Sequence, residues 1–311
     1  MQKEGQESLP QQGNATPPTA YDAPHGNRDN NQVGRPSSRL MGALDRNGSA
    51  HTVTVVGVRG GSGKTMLATN LGAIFAQRRG ETSVLADLNL EFPAAALSLG
   101  IRPPVTLAEI VQASPDIDDD EFDSMLAKHP SGLRLLSGSL EAGQSERVTD
   151  SGVGAVLARL GRLYDHVVMD CRPSFRDFYL DIWESSDQIL VACPPDVVSI
   201  GLTRHLVDAM DAIGVDPYNL MVVLNHVVPT KRLRAVDIDR QMGARQFEIP
   251  YAGPDIHYDE DQGKVFALQH PRDAASRALR ALADELVEDW EANDRKALSP
   301  AAGPLTPALT T

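Results

Sequence analysis

Cysteine is scarce in this chain, and long hydrophobic runs are missing from it. Only Cys171 and Cys193 occur among 311 residues, too few for a disulfide framework or for a metal site with four cysteine ligands. No stretch approaches the roughly 18 consecutive apolar residues of a transmembrane helix, and no apolar segment follows a basic N-terminus. We therefore expect a cytoplasmic protein with no direct membrane insertion.

Positive charge is also in short supply. The 29 lysines and arginines are outnumbered by 42 aspartates and glutamates, which gives a formal net charge of −13. Such an excess repels nucleic acid unless the basic side chains are segregated on one surface. The dense basic stretch at 230–240, TKRLRAVDIDR, contains two aspartates and is more typical of a solvated helix face. A nucleic-acid partner is therefore not expected.

Both ends of the chain lack the aliphatic clusters that a folded core needs. Residues 1–50 are rich in Gln, Asn, Pro, Gly and Ser, and residues 291–311 are rich in Pro, Ala and Thr. We predict a disordered tail at 1–50, one folded domain at 51–290 and a second disordered tail at 291–311. The apolar content of 41% is enough to form a core in a domain of that length.

Between the two tails, β-branched apolar runs alternate with segments of helical periodicity. The predicted strands, whose continuous apolar runs suit burial on both faces of a sheet, are 52–58, 82–88, 133–138, 166–170, 188–193, 220–225 and 245–250. The predicted helices are 64–79, 106–113, 119–128, 149–163, 199–213, 232–243 and 272–289. This alternation predicts a doubly wound α/β fold, in which helices cover both faces of a mostly parallel sheet as a Rossmann-like three-layer sandwich.

The stretch VRGGSGKT at 58–65 has the composition of a phosphate-binding loop. It lies between a predicted strand and a predicted helix, so the glycines can turn successive N–H groups toward an anion at the helix N-terminus. Lys64 would reach the β and γ phosphates, and the Thr65 hydroxyl would ligate Mg²⁺. The predicted nucleotide-binding residues are Gly60, Gly61, Ser62, Gly63, Lys64, Thr65 and Met66. A glycine-rich turn without a ligand is the alternative.

A strand that ends in a carboxylate supplies the expected partner of this loop. In YDHVVMDCRP (164–173), Asp170 directly follows an apolar strand, where it can hold a water bound to Mg²⁺. The alternative is that Asp170 only caps the following turn.

Four motifs together resemble the ParA/MinD superfamily of P-loop ATPases. They are RGGSGKT (59–65), LADLNLEF (85–92), YDHVVMDCRP (164–173) and LMVVLNHV (220–227). The similarity covers about residues 51–290. Further phrases, such as SSDQILVACPPDVVSIGLTRHLVDAM (185–210), are most similar to the TadZ/CpaE branch, whose members localise pilus-assembly machinery at a cell pole.

The resemblance implies an ATP- and Mg²⁺-dependent homodimer in which two subunits sandwich two nucleotides. The family lysine that reaches the partner's phosphates is replaced here by Arg59, which can make a planar, two-pronged contact with phosphate. Val58 replaces the first glycine of the family loop and restricts its backbone. Asn225 matches the residue that contacts adenine, although a strand-end Asn that forms a turn is the alternative. Pro254 and Asp255 fall in the loop that lines the base pocket in the family.

This sequence has only the first aspartate of the family's DxD pair. Its first aspartate matches Asp87, which is expected near Mg²⁺, so the predicted metal residues are Thr65, Asp170 and Asp87. The second, which positions the attacking water in relatives, matches Asn89. An amide can orient water but cannot accept a proton as a carboxylate does, so we expect slow hydrolysis. The predicted catalytic residues are Lys64, Arg59, Asp87 and Asn89. For Arg172, a phosphate sensor and a surface salt-bridge partner are both open.

The resemblance therefore predicts a weak ATPase that acts as a nucleotide-dependent dimeric switch and positions a protein partner of a pilus, secretion or polar-localisation apparatus. The first alternative is a nucleotide-holding scaffold without turnover. The second is a chromosome or plasmid partitioning or septum-site ATPase. Relatives that hold an iron–sulfur cluster between subunits need paired cysteines, and Cys171 and Cys193 match those positions poorly.

Overall fold

A computed structural model describes residues 50–113, 116–138, 148–175, 177–229, 242 and 244–298. The predicted tail at 1–50 lies outside the described residues except for Ala50, and the predicted helix at 232–243 lies outside them except for Met242.

One eight-stranded sheet forms the centre of the domain. Its strands are β1 (His51–Val56), β2 (Ser83–Asp87), β3 (Ala127–Lys128), β4 (Arg134–Leu136), β5 (His166–Asp170), β6 (Gln188–Cys193), β7 (Leu220–Asn225) and β8 (Arg245–Ile249). They are ordered β3-β4-β2-β5-β1-β6-β7-β8, and every pair is parallel except β3 with β4. The predicted mostly parallel, doubly wound sheet is therefore confirmed.

The helices cover both faces of this sheet. They are α1 (Lys64–Phe75), α2 (Ala95–Ser98), α3 (Leu107–Ala113), α4 (Asp119–Met125), α5 (Asp150–Leu163), α6 (Asp177–Ser185), α7 (Val197–Ile213), α8 (Asp255–Asp261), α9 (Phe266–Gln269) and α10 (Ala274–Leu298), with a 3₁₀ turn at Pro217–Asn219. Helices α1, α2, α9 and α10 share one hydrophobic cluster with the sheet, and α3 to α7 share the other. Two cores on opposite faces make the fold a three-layer α/β sandwich.

All seven predicted strands are present, but several boundaries and short elements differ from the prediction. β1 ends at Val56 rather than at residue 58, because the chain bends at Val58 and Arg59; a Cβ at Gly57 would lie 2.5 Å from Ser62 Oγ. The helix predicted at 119–128 ends at Met125, since Ala127–Lys128 pairs with β4 instead. Helices α2, α6, α8 and α9 were not predicted, and α2 and α9 have only four residues, too few to set up a periodic pattern.

The boundary predicted at residue 290 is also corrected. α10 continues to Leu298, eight residues into the predicted tail. The segment EANDRKAL (291–298) contains neither Pro nor Gly, and Glu291 and Arg295 are spaced to pair along a helix, with 3.7 Å between their charged atoms. Within the described residues, no helix combines the length and the apolar character that a bilayer span requires.

Candidate nucleotide-binding site

The loop between β1 and α1 has the backbone that its glycines permit. Gly61 and Gly63 have φ values of 74° and 82°, in the left-handed region that favours glycine. A Cβ on Gly63 would lie 2.1 Å from Asn225 Nδ2, so glycine is required there for packing as well. Gly63 is also the N-cap of α1, and no side chain of the described residues caps that helix N-terminus. The free N–H groups of the first turn are therefore available to an anion.

Asn225 holds this loop in place. Its Nδ2 donates to the Ser62 carbonyl over 3.0 Å, and it is buried at the end of β7. The Ser62 hydroxyl is buried, and none of the described residues offers it a hydrogen bond. Asn225 thus bonds to the protein's own backbone, and it also borders the cavity described below.

The Thr65 hydroxyl donates to Asp170 Oδ2 over 2.6 Å. Asp170 is 1% exposed, and its Oδ1 finds no hydrogen-bond donor within the described part of the chain. Burial raises the pKa of Asp170 to about 6, against the opposing effects of the Thr65 hydrogen bond and the Lys64 charge. A buried carboxylate oxygen without a partner is costly unless a ligand meets it, and a divalent cation meets that need.

Asp87 lies beside Asp170, because the two residues are register partners on β2 and β5. Its oxygens accept from the Asn89 and Ala95 backbone N–H groups over 3.1 and 2.9 Å. Burial, and then the Asp170 charge, raise the pKa of Asp87 to about 7. Two adjacent buried carboxylates favour a cation between or near them.

The predicted metal residues fit Mg²⁺ by their chemistry. Thr65 and Asp170 are hard oxygen donors, and the described residues contain no cluster of three His, Cys, Asp or Glu side chains that would form a full metal cage. Mg²⁺ is usually bound through one or two protein oxygens, with water and substrate phosphates completing the shell.

Asn89 follows Asp87 with its side chain turned into its own loop. The amide Nδ2 donates to the Phe92 carbonyl over 2.9 Å. Its carbonyl oxygen, rather than its amino group, is thus left to orient a water. Its predicted catalytic role stays a prediction.

Arg59 is bonded within its own chain. Its Nη1 donates to Asp196 Oδ1 and Oδ2 over 3.1 and 3.2 Å and to Ser199 Oγ over 3.1 Å. Asp196 also caps the N-terminus of α7 by accepting from the Val198 and Ser199 N–H groups. Burial acts to raise the pKa of Asp196, but the Ser199 hydrogen bonds and the Arg59 charge outweigh it and lower that pKa. Arg59 would have to leave this carboxylate to reach a phosphate in a partner.

A cavity of about 250 Å³ opens beside the loop. It is bordered on one side by Gly61, Gly63, Lys64, Thr65 and Met66, and on the other by Asn225, His226, Val227, Ile249, Pro250, Tyr251, Ala252, Ile256, His257, Glu260, Ala275 and Leu279. This volume and mostly apolar lining suit a purine base. The predicted base-contacting residues Pro254 and Asp255 are not among these residues; Pro254 precedes α8, and Asp255 is its first residue.

The residues that the sequence reasoning missed at this cavity come from four places: the segments at the ends of β7 and β8, and the helices α8 and α10. Residues 249–252 are the last residue of β8 and the three that follow it, so the carboxyl-end rule for parallel strands was the signal that could have found them. Ile256, His257 and Glu260 come from α8, which has seven residues and shows no clear periodicity in the sequence.

Arg172 pairs with Glu91, with 2.5 Å between Nη1 and Oε2. This contact favours the ion-pair interpretation over the phosphate-sensor interpretation. Cys171 is buried, and burial raises the pKa of its thiol well above the usual range. Cys193 is also buried and free.

A glycine loop between a central strand and a helix, with a threonine bonded to a buried aspartate beside it, defines a P-loop nucleotide-binding α/β domain. The family model of the CobQ/CobB/MinD/ParA nucleotide binding domain matches residues 53–270. The chain belongs to this family.

Related proteins agree with this assignment. An iron–sulfur cluster carrier protein of Deinococcus radiodurans is 27% identical over 77% of this chain and 70% of its own length. A ParA family ATPase from Chlorobium tepidum superimposes with a TM-score of 0.70 at 18% identity, over 75% of this chain and 98% of the other. The septum site-determining protein MinD of Pyrococcus horikoshii, solved with Mg-ADP, gives a TM-score of 0.65 at 18% identity, over 76% and 96%. At these identities, the two structures establish the shared fold.

Proposed function

We propose that this chain binds ATP with Mg²⁺, hydrolyses it slowly and uses the nucleotide to dimerise. The observation that carries the proposal is the Thr65–Asp170 pair, whose Asp170 Oδ1 is buried without a partner in the described residues, beside the uncapped N-terminus of α1. Bound Mg²⁺ would neutralise phosphate charge there. The N–H groups of the loop and the Lys64 ammonium would bind the phosphates, and the cavity bordered by Asn225 would take the base.

Slow turnover is proposed because Asn89 cannot accept a proton. Phosphoryl transfer depends mostly on positioning and charge, so the amide can still orient water and some hydrolysis is expected. Asp87, hydrogen-bonded to the Asn89 and Ala95 N–H groups, would keep this loop beside the phosphates.

A dimer through the nucleotide face is supported by exposed apolar side chains. At the carboxyl end of the sheet, the loops that follow β2, β5 and β7 and the first turn of α7, which comes after β6, each present at least one, between 51% and 77% exposed: Phe92, Phe175, Val197, Val198 and Val228. Exposed large apolar side chains gathered at one end of a domain are typical of protein-binding surfaces. Arg59 lies among these loops and would be the residue that crosses to the partner's phosphates.

The proposed dimer would position a protein partner. Similarity to the TadZ/CpaE branch supports a protein partner of a pilus, secretion or polar-localisation apparatus, with the ATPase domain acting in the cytoplasm at a cell pole. The net charge of −13 favours this over partitioning on DNA.

The test is the size of the purified protein with ADP, with ATP and with a non-hydrolysable ATP analogue. We expect a dimer with the analogue and a monomer with ADP, and loss of the dimer in Arg59→Ala. The matched control is Arg78→Ala, since Arg78 also pairs with a carboxylate, Asp284, but follows the other end of α1. A nucleotide-independent size would overturn the switch, and an unchanged dimer in Arg59→Ala would remove the trans role.

A scaffold that holds ATP without turnover is the second candidate. The bond from Asn89 Nδ2 to the Phe92 carbonyl favours it, because it ties the amide to its own loop. Phosphate release measured beside ATP affinity separates the two: tight binding with no release supports the scaffold, and measurable release excludes it.

A further inference from the structure

The backbone of Leu88, the residue before Asn89, is held by the end of β5 and by α6. The Leu88 N–H donates to the Asp170 carbonyl over 2.9 Å, and the Tyr179 hydroxyl donates to the Leu88 carbonyl over 2.9 Å. Tyr179 lies in α6 and is 2% exposed, so its hydrogen bond to Leu88 is sheltered from water. Leu88 is itself buried.

A second contact joins the same two segments farther out. Arg172, two residues after Asp170, pairs with Glu91, two residues after Asn89, with 2.5 Å between Nη1 and Oε2. The Arg172 guanidinium also lies 5.9 Å from the centre of the Tyr179 ring. Asn89 is therefore flanked on both sides by residues that are bonded to the β5–α6 segment.

We propose that Tyr179, with the Arg172–Glu91 pair, positions the loop Leu88–Phe92 so that Asn89 stays aligned with the site marked by Asp170. This inference rests on the proposed ATPase function. Tyr179 and Arg172 do not touch the nucleotide site themselves; they are positioning residues that act through Leu88 and Glu91. They make the loops after β2 and β5 move as one unit, so a shift of one carries the other.

The chemistry of the buried phenol suits this role. Burial raises the pKa of Tyr179 to about 12, against the lowering effect of Arg172, so the hydroxyl remains a donor across the physiological range. Tyr179→Phe removes only this donor, keeps the ring in the core, and leaves the buried Leu88 carbonyl without it. An unmade buried hydrogen bond favours rearrangement of the loop, and a misplacement of about 1 Å near a reacting group can cost up to about a hundredfold in rate.

The experiment compares Tyr179→Phe with Tyr164→Phe. Tyr164 is the matched control, because its buried hydroxyl also donates a hydrogen bond, to Asp123, away from the nucleotide loop. In Tyr179→Phe we expect kcat for ATP to fall by roughly five- to thirtyfold with KM changed less than about twofold, and in Tyr164→Phe we expect neither to change. We also expect faster amide hydrogen exchange at 88–92 in Tyr179→Phe alone.

If Tyr179→Phe folds poorly, variants of the Arg172–Glu91 ion pair test the same positioning role. Arg172→Glu and Glu91→Arg each break the ion pair and should lower kcat, and the double variant should recover at least half of the loss. Additive losses, or equal exchange at 88–92 in both phenylalanine variants, would overturn the inference. If the wild type turns over no ATP, the hydrolysis proposal fails, and the exchange comparison still decides whether Tyr179 positions the loop.

Discussion

The two ends of the sheet are built differently. At the amino end, two threonines each donate their backbone N–H and their hydroxyl to an aspartate side chain. Thr52 donates to Asp187 over 2.8 Å from each group, and Thr82 donates to Asp165 over 2.7 and 2.8 Å. Both ends also bury polar atoms that find no partner among the described residues: Ser83 Oγ and His166 Nδ1 at the amino end, and Asp170 Oδ1 and Ser62 Oγ at the carboxyl end, where they lie at the glycine loop. An unpaired buried polar atom costs stability, and those at the glycine loop are placed where a ligand can meet them.

Aromatic residues follow the same division. His51 stacks on Trp290 with 4.6 Å between ring centroids, and His166 stacks on Phe75 at 4.5 Å, so the amino end is closed by packed rings. At the carboxyl end, Phe92 is 77% exposed and Phe175 is 56% exposed. The comparison indicates that stability is concentrated at one end of the strands and recognition at the other.

Trp290→Ala should give the largest effect on stability. Trp290 is 4% exposed and packs on His51, Phe75 and His166, so its removal leaves a cavity under the last helix. We expect a loss of about 3–5 kcal/mol in the free energy of unfolding, measured by denaturant titration. Phe92→Ala, an aromatic truncation at the other end, should change it by less than about 0.5 kcal/mol. Equal losses would contradict the division between the two ends.

Lys64→Ala should weaken ATP binding rather than reduce stability, the opposite of Trp290→Ala. Lys64 is the first residue of α1 and its charge acts on Asp170, so in the proposed site its loss would remove a charged hydrogen bond to phosphate. We expect ATP affinity to fall by about 10- to 100-fold in calorimetry, with little change in the unfolding midpoint. Lys128→Ala, an exposed lysine on the edge strand β3, is the control and should leave affinity unchanged. Unaltered affinity in Lys64→Ala would contradict the phosphate site.

Sequence patterns predicted the sheet well, because buried parallel strands are continuous apolar runs with little competition from other signals. Asp170 was identified for the same reason, since it ends such a run, and Thr65 was identified from the glycine motif that precedes it. What the sequence could not predict depends on contacts between distant segments. The one-turn helices α2 and α9, the pairing of Ala127–Lys128 with β4, and the bond from Arg59 to Asp196 are decided by tertiary packing.

Asn89→Asp should increase the rate of ATP hydrolysis at the carboxyl end of the sheet. The variant restores a carboxylate that can accept a proton from water, while the length of the side chain is unchanged. We expect phosphate release in single turnovers to rise by about tenfold, less than general-base catalysis can give, because positioning dominates phosphoryl transfer. Asn89→Ala is the control and should not gain. A rise in both variants would show that the amide obstructs the site rather than lacking a proton acceptor.

The smallest expected effect is a pH dependence of opposite sign at the two ends. In the unfolded chain Asp170 releases its proton near pH 3.8, but in the folded protein its pKa is about 6, so the stability of the nucleotide-free protein should fall as pH rises from about 4 to about 6. At the amino end, burial lowers the pKa of His166 in spite of its bond to Glu81. Stability should therefore also fall as pH drops below about 6.5, where the unfolded histidine takes up a proton first.

Asp170→Asn separates these two contributions. Since a pKa unit is worth about 1.4 kcal/mol, we expect the variant to be more stable than the wild type by about 1–2 kcal/mol at pH 8 and by less at pH 5, measured by denaturant titration in EDTA without nucleotide. His166→Gln should instead flatten the acidic limb of the curve. The gain from Asp170→Asn should disappear when Mg²⁺ and ATP are added, because only the wild-type carboxylate binds the cation and gains its stabilisation. A stability difference that is the same at pH 5 and pH 8 would mean that Asp170 is not held in a costly charged state, and the contrast between the two ends of the sheet would then rest on packing alone.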